Sequence, residues 1–421
     1  MQSSIKLRLT VMNFLQFAVW GAYLTSMGRY LGTAGFGSEI GNFYAMQGLV
    51  SLFMPALMGI VADRWIPAQR LLGLCHLLSG MLMLGVFNYT QTDAPSYPTL
   101  FALYSLSVAF YMPTLALSNS VAYTSLDQAG LDLVKSFPPI RVFGTVGFIC
   151  TMITVSLLGF EATNMQFAVS ALISCVLAVY THTLPNCPTA PKGQSKSFVE
   201  ALGLRAFVLF KRRKMALFFI FSMLLGVSLQ ITNGFANPFI STFGEIPAYA
   251  DTFGVKYANI LISLSQLSET LCILLIPFAL RRFGIRRVML IAMVAWVLRF
   301  ALLGLGNPGS GVWLFLLSMI VYGVAFDFFN VSGSLFVDKE TDPSIRSSAQ
   351  GLFMIMTNGI GATLGSLGAQ AVINRFVYSQ SEATAILSGW TTSWYIFAAY
   401  AAVVAVLFAL LFRYNTTTEA K

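Results

Sequence analysis

The segment Asn259–Ile276, NILISLSQLSETLCILLI, is apolar enough for hydrocarbon, yet it carries Gln266 and Glu269 at i, i+3. A carboxylate at membrane depth costs roughly 2.5–3.5 kcal/mol on insertion scales, so such a residue usually lines a polar pathway or meets a partner. The same pattern recurs in three other apolar stretches. LLGVSLQITNGFANPF sets Gln230 and Asn233 at i, i+3. MIVYGVAFDFFNVSG sets Tyr322 and Phe326 at i, i+4, with Asp327 next to them and Asn330 further along. PPIRVFGTVGF sets Arg141, Thr145 and Phe148 at i, i+4, i+7. On a helix each set shares a face, so these faces would be polar towards neighbouring helices.

Amides offer donors and acceptors together, and aromatic rings can stack on a flat solute. That combination suits a neutral solute with hydroxyls and ring carbonyls, a nucleoside or a sugar rather than a lipid. The alternative for each amide is a hydrogen bond between helices. Glu269 and Asp327, once desolvated, could exchange a proton as their surroundings change. Their alternative is a fixed pair with Arg141 or Arg299, and Arg299 is read as the structural partner of an acid. His76, alone on an apolar span, is read as a hydrogen-bonded core histidine rather than a proton relay. Nothing resembles a catalytic or metal constellation, because the two histidines, His76 and His182, are far apart and no acids cluster. No phosphate-cradling G-x-x-x-x-G-K-[ST] occurs, which argues against nucleotide hydrolysis.

The elements that hold these residues follow from composition. Of 421 residues, 57% are hydrophobic and only 10% charged, against about 25% charged in soluble domains. The mean hydropathy is +0.74. This is the composition of a polytopic, all-α membrane protein. The net charge of +9 sits in loops between apolar spans, so it points to membrane orientation and not to nucleic acid. The five cysteines form no paired spacing, and a disulfide framework is not expected. The first apolar span runs on too long for a cleavable signal peptide.

Twelve spans are expected, near 9–30, 40–62, 69–90, 99–124, 139–160, 164–184, 215–241, 257–280, 287–306, 311–336, 347–374 and 391–413. A Pro- and Lys-rich connection at 185–214, ending in an amphipathic run and KRRK, divides them into halves 1–184 and 215–421. With both termini cytoplasmic, that side carries 21 of the 25 basic residues, the other side three, and Arg299 lies inside a span. The positive-inside rule favours this orientation. The halves echo each other: GIVADRW against LRRFGIRR, Asn119 against Asn330, and PPIR against PSIR. A weak duplication of this kind suits parallel halves related by an axis along the membrane normal.

GIVADRW followed by Arg70 resembles the G-x-x-x-D-R-x-G-R-R signature of the major facilitator superfamily, with Gly59, Asp63, Arg64 and Arg70 matching and Ile66 in place of the usual glycine. In that superfamily the region latches the cytoplasmic side. Longer stretches, FLQFAVWGAYL, MPALMGIVADRW, FPPIRVFGTVGF, FFIFSMLLGVSLQITN, MIVYGVAFDFFNVSGSLFV and SAQGLFMIMTNG, look like the bacterial nucleoside–proton symporters. The likeness runs from about residue 6 to residue 413.

That resemblance implies a twelve-helix monomer of the bacterial inner membrane. It would import purine and pyrimidine nucleosides with protons, by alternating access and without a cofactor. It implies a nucleoside site of Arg141, Thr145, Phe148, Gln230, Asn233, Gln266, Glu269, Tyr322 and Phe326, with Asp327 and Glu269 as candidates for proton coupling. The competing readings are a facilitator for a sugar, a xanthosine-like purine or a drug, and a receptor or membrane enzyme. The last class lacks both a sizeable extramembrane domain and a nucleophile–base pair.

Overall fold

The computed structural model describes residues 2–189, 204–342 and 345–413. Residues 190–203 of the expected connection, Pro343 of PSIR and the C-terminal residues from 414 lie outside them. Among the described residues the protein is helical, and ten helical stretches are long and apolar enough to cross a membrane. Two compact units emerge, one of Met1–Phe36 with Met46–Leu202, the other of Gly37–Ala45 with Gly203–Lys421.

Several expected spans are subdivided, each with a local cause. The first is two helices, Gln2–Gly21 and Met27–Thr33. The second breaks into Ile40–Ser51 and Met54–Arg64. Pro55, in the first turn of the latter, has no N–H to extend the preceding helix and suits a helix start. The spans expected at 257–280 and 287–306 form one 48-residue stretch, Ala258–Leu305, folded at Gly284. Gly284 has φ +74° and ψ +163°, a conformation that only glycine adopts cheaply. The span expected at 347–374 widens into a π-helical segment, Ile355–Gly361, between the Arg346–Met354 and Ala362–Phe376 helices. The last begins earlier than hydropathy suggested, at Ala383.

In the first unit an apolar core gathers Leu9, Met12, Leu72, Val121, Leu126 and Leu177. The Gln2–Gly21 and Leu133–Leu157 helices cross with almost no gap. A Cβ at Gly147 would collide with the Phe14 carbonyl, and one at Gly21 with the Phe148 carbonyl. Close crossings at small residues substitute dispersion contact for the hydrophobic drive that lipid cannot provide. In the second unit Gly226 and Gly365 do the same for the Arg213–Thr242 helix, against the Thr357 and Val227 carbonyls respectively. Gly323 brings the Val312–Glu340 helix onto the backbone of Ser268. The short segment Gly37–Ala45 is stitched into this unit by side chains of the Ala362–Phe376 helix. Gln370 Nε2 donates to the Gly37 carbonyl (3.0 Å), and its Oε1 accepts from the Gly41 N–H. Asn374 Nδ2 donates to the Ser38 carbonyl (3.1 Å).

Candidate functional site

The glycine crossings place the polar residues. In the first unit, Arg141, Thr145 and Phe148 lie on the Leu133–Leu157 helix. Its contact with Gln2–Gly21 at Gly144 and Gly147 sets Arg141 over the Phe17 ring, 4.1 Å from the centroid. A cation over an aromatic face gains about 0.5–2 kcal/mol and holds the guanidinium in one orientation. Phe148 is buried and meets Trp20 edge-on, with centroids 6.3 Å apart at 89°. Trp20 in turn leans on Tyr111 at 5.9 Å. Thr145 is half-buried, one turn from Arg141.

Behind this wall lies a polar network that sequence reasoning saw only as His76. His76 Nε2 faces Gln16 Oε1 (2.8 Å), and its Nδ1 faces Ser174 Oγ (3.0 Å). Gln16 Nε2 donates to Thr114 Oγ1 (2.7 Å), whose hydroxyl donates to the Tyr111 carbonyl (2.5 Å). Both ring nitrogens of His76 are engaged, with no exposed surface.

In the second unit, Gln230 and Asn233 are joined directly, Asn233 Nδ2 donating to Gln230 Oε1 at 2.9 Å. The i, i+3 spacing therefore brings the two amides together as read. Tyr322 and Phe326 are stacked, with centroids 5.6 Å apart and planes within 12°. Trp296 meets Tyr322 edge-on at 5.9 Å. Gln266 and Glu269 sit half-buried on the Ala258–Leu305 helix. The Gly323 crossing carries that helix against the one bearing Tyr322 and Asp327. Asp327 is buried, and its Oδ2 has no hydrogen-bond partner. The Glu269 and Asp327 carboxyls are within electrostatic reach of each other and of Tyr322. A cavity of about 10 Å³, roughly one water in size, opens beside Phe326 and Asn330 and is walled by Leu229 and Trp296.

Arg299 differs from expectation. Among the described residues it has no acid as its partner. One Nη donates to the Ser318 carbonyl (2.8 Å) and reaches Ser265 Oγ (3.3 Å), and the guanidinium lies 4.4 Å from the centre of the Tyr322 ring. Its Nε finds no partner. Spacing could not reveal this, because Ser265, Ser318 and Tyr322 arrive from other turns and helices.

The signature residues lie on two consecutive helices of the first unit. Gly59 and Asp63 are in the Met54–Arg64 helix, Arg64 ends it, and Arg70 lies in the next helix, Ala68–Tyr89. Both arginines are exposed.

Residues 3–417 match the family model described as nucleoside H⁺ symporter. The chain is 47% identical over 415 residues to nucleoside permease NupG of Escherichia coli K12, covering 98% of this chain and 97% of that protein. It is 48% identical over 419 residues to the xanthosine permease of the same organism, covering 99% and 98%. The crystal structure of nucleoside transporter NupG superposes with a TM-score of 0.89 at 46% identity, over 98% of this chain and all of that one. A D-xylose–proton symporter shares the fold at 14% identity, with a TM-score of 0.68 over 96% of each chain.

Proposed function

The chain belongs to the nucleoside H⁺ symporter family, and on that premise we propose how it works as a proton-coupled nucleoside importer of the bacterial inner membrane. It is a multi-pass transporter and not an enzyme. The stacked Tyr322–Phe326 pair beside a buried carboxyl with an open oxygen carries the reading. The rings receive the base of a purine or pyrimidine nucleoside. Gln230, Asn233 and Gln266 supply donors and acceptors to its edge and ribose, and amide pairs do so without a net charge. The family resemblance adds Arg141, held over Phe17, Thr145 and Phe148 of the first half to the proposed recognition residues.

Asp327 is the proton carrier. An ionised carboxylate without a partner in such a site costs several kcal/mol, and binding a proton removes that cost. Glu269, within reach of it, links proton occupancy to the nucleoside. The proton gradient drives the cycle, with no cofactor. Gly59, Asp63, Arg64 and Arg70 belong to a cytoplasmic gate. Twelve spans follow if Gln2–Gly21 is the first and Ala258–Leu305 counts twice. They fall into halves 1–184 and 215–421 joined through 185–214, with both termini cytoplasmic, and the carrier acts as a monomer.

The test is uptake of labelled nucleosides into membrane vesicles under an imposed proton gradient, with a sugar and a free nucleobase as competitors. Accumulation above equilibrium that collapses with a protonophore supports the reading. Competition by the sugar alone would reassign the substrate, and gradient-independent uptake would end the proton assignment.

A further inference from the structure

The amphipathic run before the Arg213–Thr242 helix takes no part in the transport site. It forms a 3₁₀ segment, Leu204–Lys211, inside the second unit. One side is anchored. Ala206 and Leu209 are buried, and Phe210 stacks on Phe219 at 5.6 Å. The other side is open, with Phe207 45% and Val208 51% exposed. Phe207 is stacked on Phe210 at 5.8 Å, so its ring is held in place. Directly after these apolar side chains come Lys211, Arg212 and Arg213, all exposed. The next cation, Lys214, is already engaged, with Nζ 2.6 Å from Glu340 Oε1.

The apolar pair and the three cations therefore sit at the threshold of a membrane-crossing helix whose own hydrophobic residues begin at Met215. A short amphipathic segment with basic residues beside exposed aromatic and aliphatic side chains is built to lie at a headgroup boundary. Lys and Arg there gain about 1 kcal/mol each from an anionic leaflet. The side concerned carries the basic loops, so the charge complementarity holds for the whole face.

We propose that Phe207, Val208, Lys211, Arg212 and Arg213 form a docking surface for anionic phospholipid headgroups, with the two apolar side chains dipping into the leaflet. The surface is separate from nucleoside binding, and its failure would leave the transport reading untouched.

The full-length protein is reconstituted in nanodiscs of phosphatidylcholine and phosphatidylglycerol, with one or the other lipid brominated in its acyl chains. Phe207→Trp emission is read as a difference from the parent protein, which has its own tryptophans. Brominated phosphatidylglycerol should quench the added tryptophan more than brominated phosphatidylcholine does, and high salt should remove the excess. Native mass spectrometry of the released protein gives a second measure. Each of Lys211→Gln, Arg212→Gln and Arg213→Gln should lower the preference for phosphatidylglycerol over phosphatidylcholine by roughly 2- to 5-fold. These side chains are exposed, and unchanged thermal unfolding would confirm that the variants fold. Equal quenching by both lipids, or a preference that survives the triple substitution, overturns the proposal.

Discussion

Four buried ionisable groups, two in each unit, are treated in opposite ways. In the first unit His76 and Glu161 are saturated. His76 uses both ring nitrogens, and Glu161 accepts from Arg29 at 3.2 Å and from Ser156. In the second unit Asp327 keeps Oδ2 open, and Arg299 keeps Nε open while leaning on the Tyr322 ring. Buried polar groups that are fully bonded rigidify a core, whereas an unsatisfied one costs about 1–3 kcal/mol and calls for an explanation. In the proposed mechanism the first unit is scaffold around Arg141 and Phe148, and the second is the half whose charge state changes during the cycle.

The sharpest way to break this contrast is Asp327→Asn. It should abolish accumulation driven by a proton gradient while preserving nucleoside binding, measured by uptake and by equilibrium binding on the same preparation. Full accumulation in that variant would move the proton to Glu269 or elsewhere. Next in size is Tyr322→Leu. Loss of base stacking should weaken nucleoside affinity by about 1–3 kcal/mol, and Phe326→Leu should act in the same direction. Binding isotherms that leave both unchanged would show that the stacked pair is core packing.

His76→Leu tests the other side of the comparison. It leaves Gln16 Oε1 without its partner, whereas Ser174 Oγ keeps its bond to the carbonyl of residue 76, so stability should fall by about 1–3 kcal/mol in thermal unfolding. The pH profile of transport should not move, and a displaced profile would make His76 a second proton site. The smallest effect is expected at the exposed pair Lys256–Asp251, 2.9 Å apart in a connection outside the spans. The hydrogen bond and charge of Lys256 hold the Asp251 carboxyl below its ordinary value. Any stability from this pair is present above the unfolded value and is lost as pH falls through the folded one. Lys256→Gln should therefore remove a slight acid-side dependence and leave uptake at neutral pH unchanged, as read by melting curves across acidic pH.

Much of the candidate site was legible because helical spacing makes local neighbours certain. Gln230 and Asn233 bond, and Tyr322 and Phe326 stack, as i, i+3 and i, i+4 positions can. Arg299 was misread because a buried cation can be satisfied by a carbonyl, a hydroxyl and a ring as well as by an acid, and hydropathy cannot tell which one packs beside it. Residues 40–45 fall inside the span expected at 40–62, yet the backbone just before them, at Gly37 and Ser38, is bonded by Gln370 and Asn374, more than 300 residues away.

The amino-acid sequence by itself determined the class, the apolar spans, the distribution of charge and the faces on which amides, rings and acids lie. These depend on composition and on the helical repeat, which are local. Tertiary structure alone decided which faces meet. The glycine crossings at Gly147, Gly226 and Gly323 set helix separation to backbone contact. That separation determines whether a buried carboxyl such as Asp327 finds a partner or is left with an open oxygen.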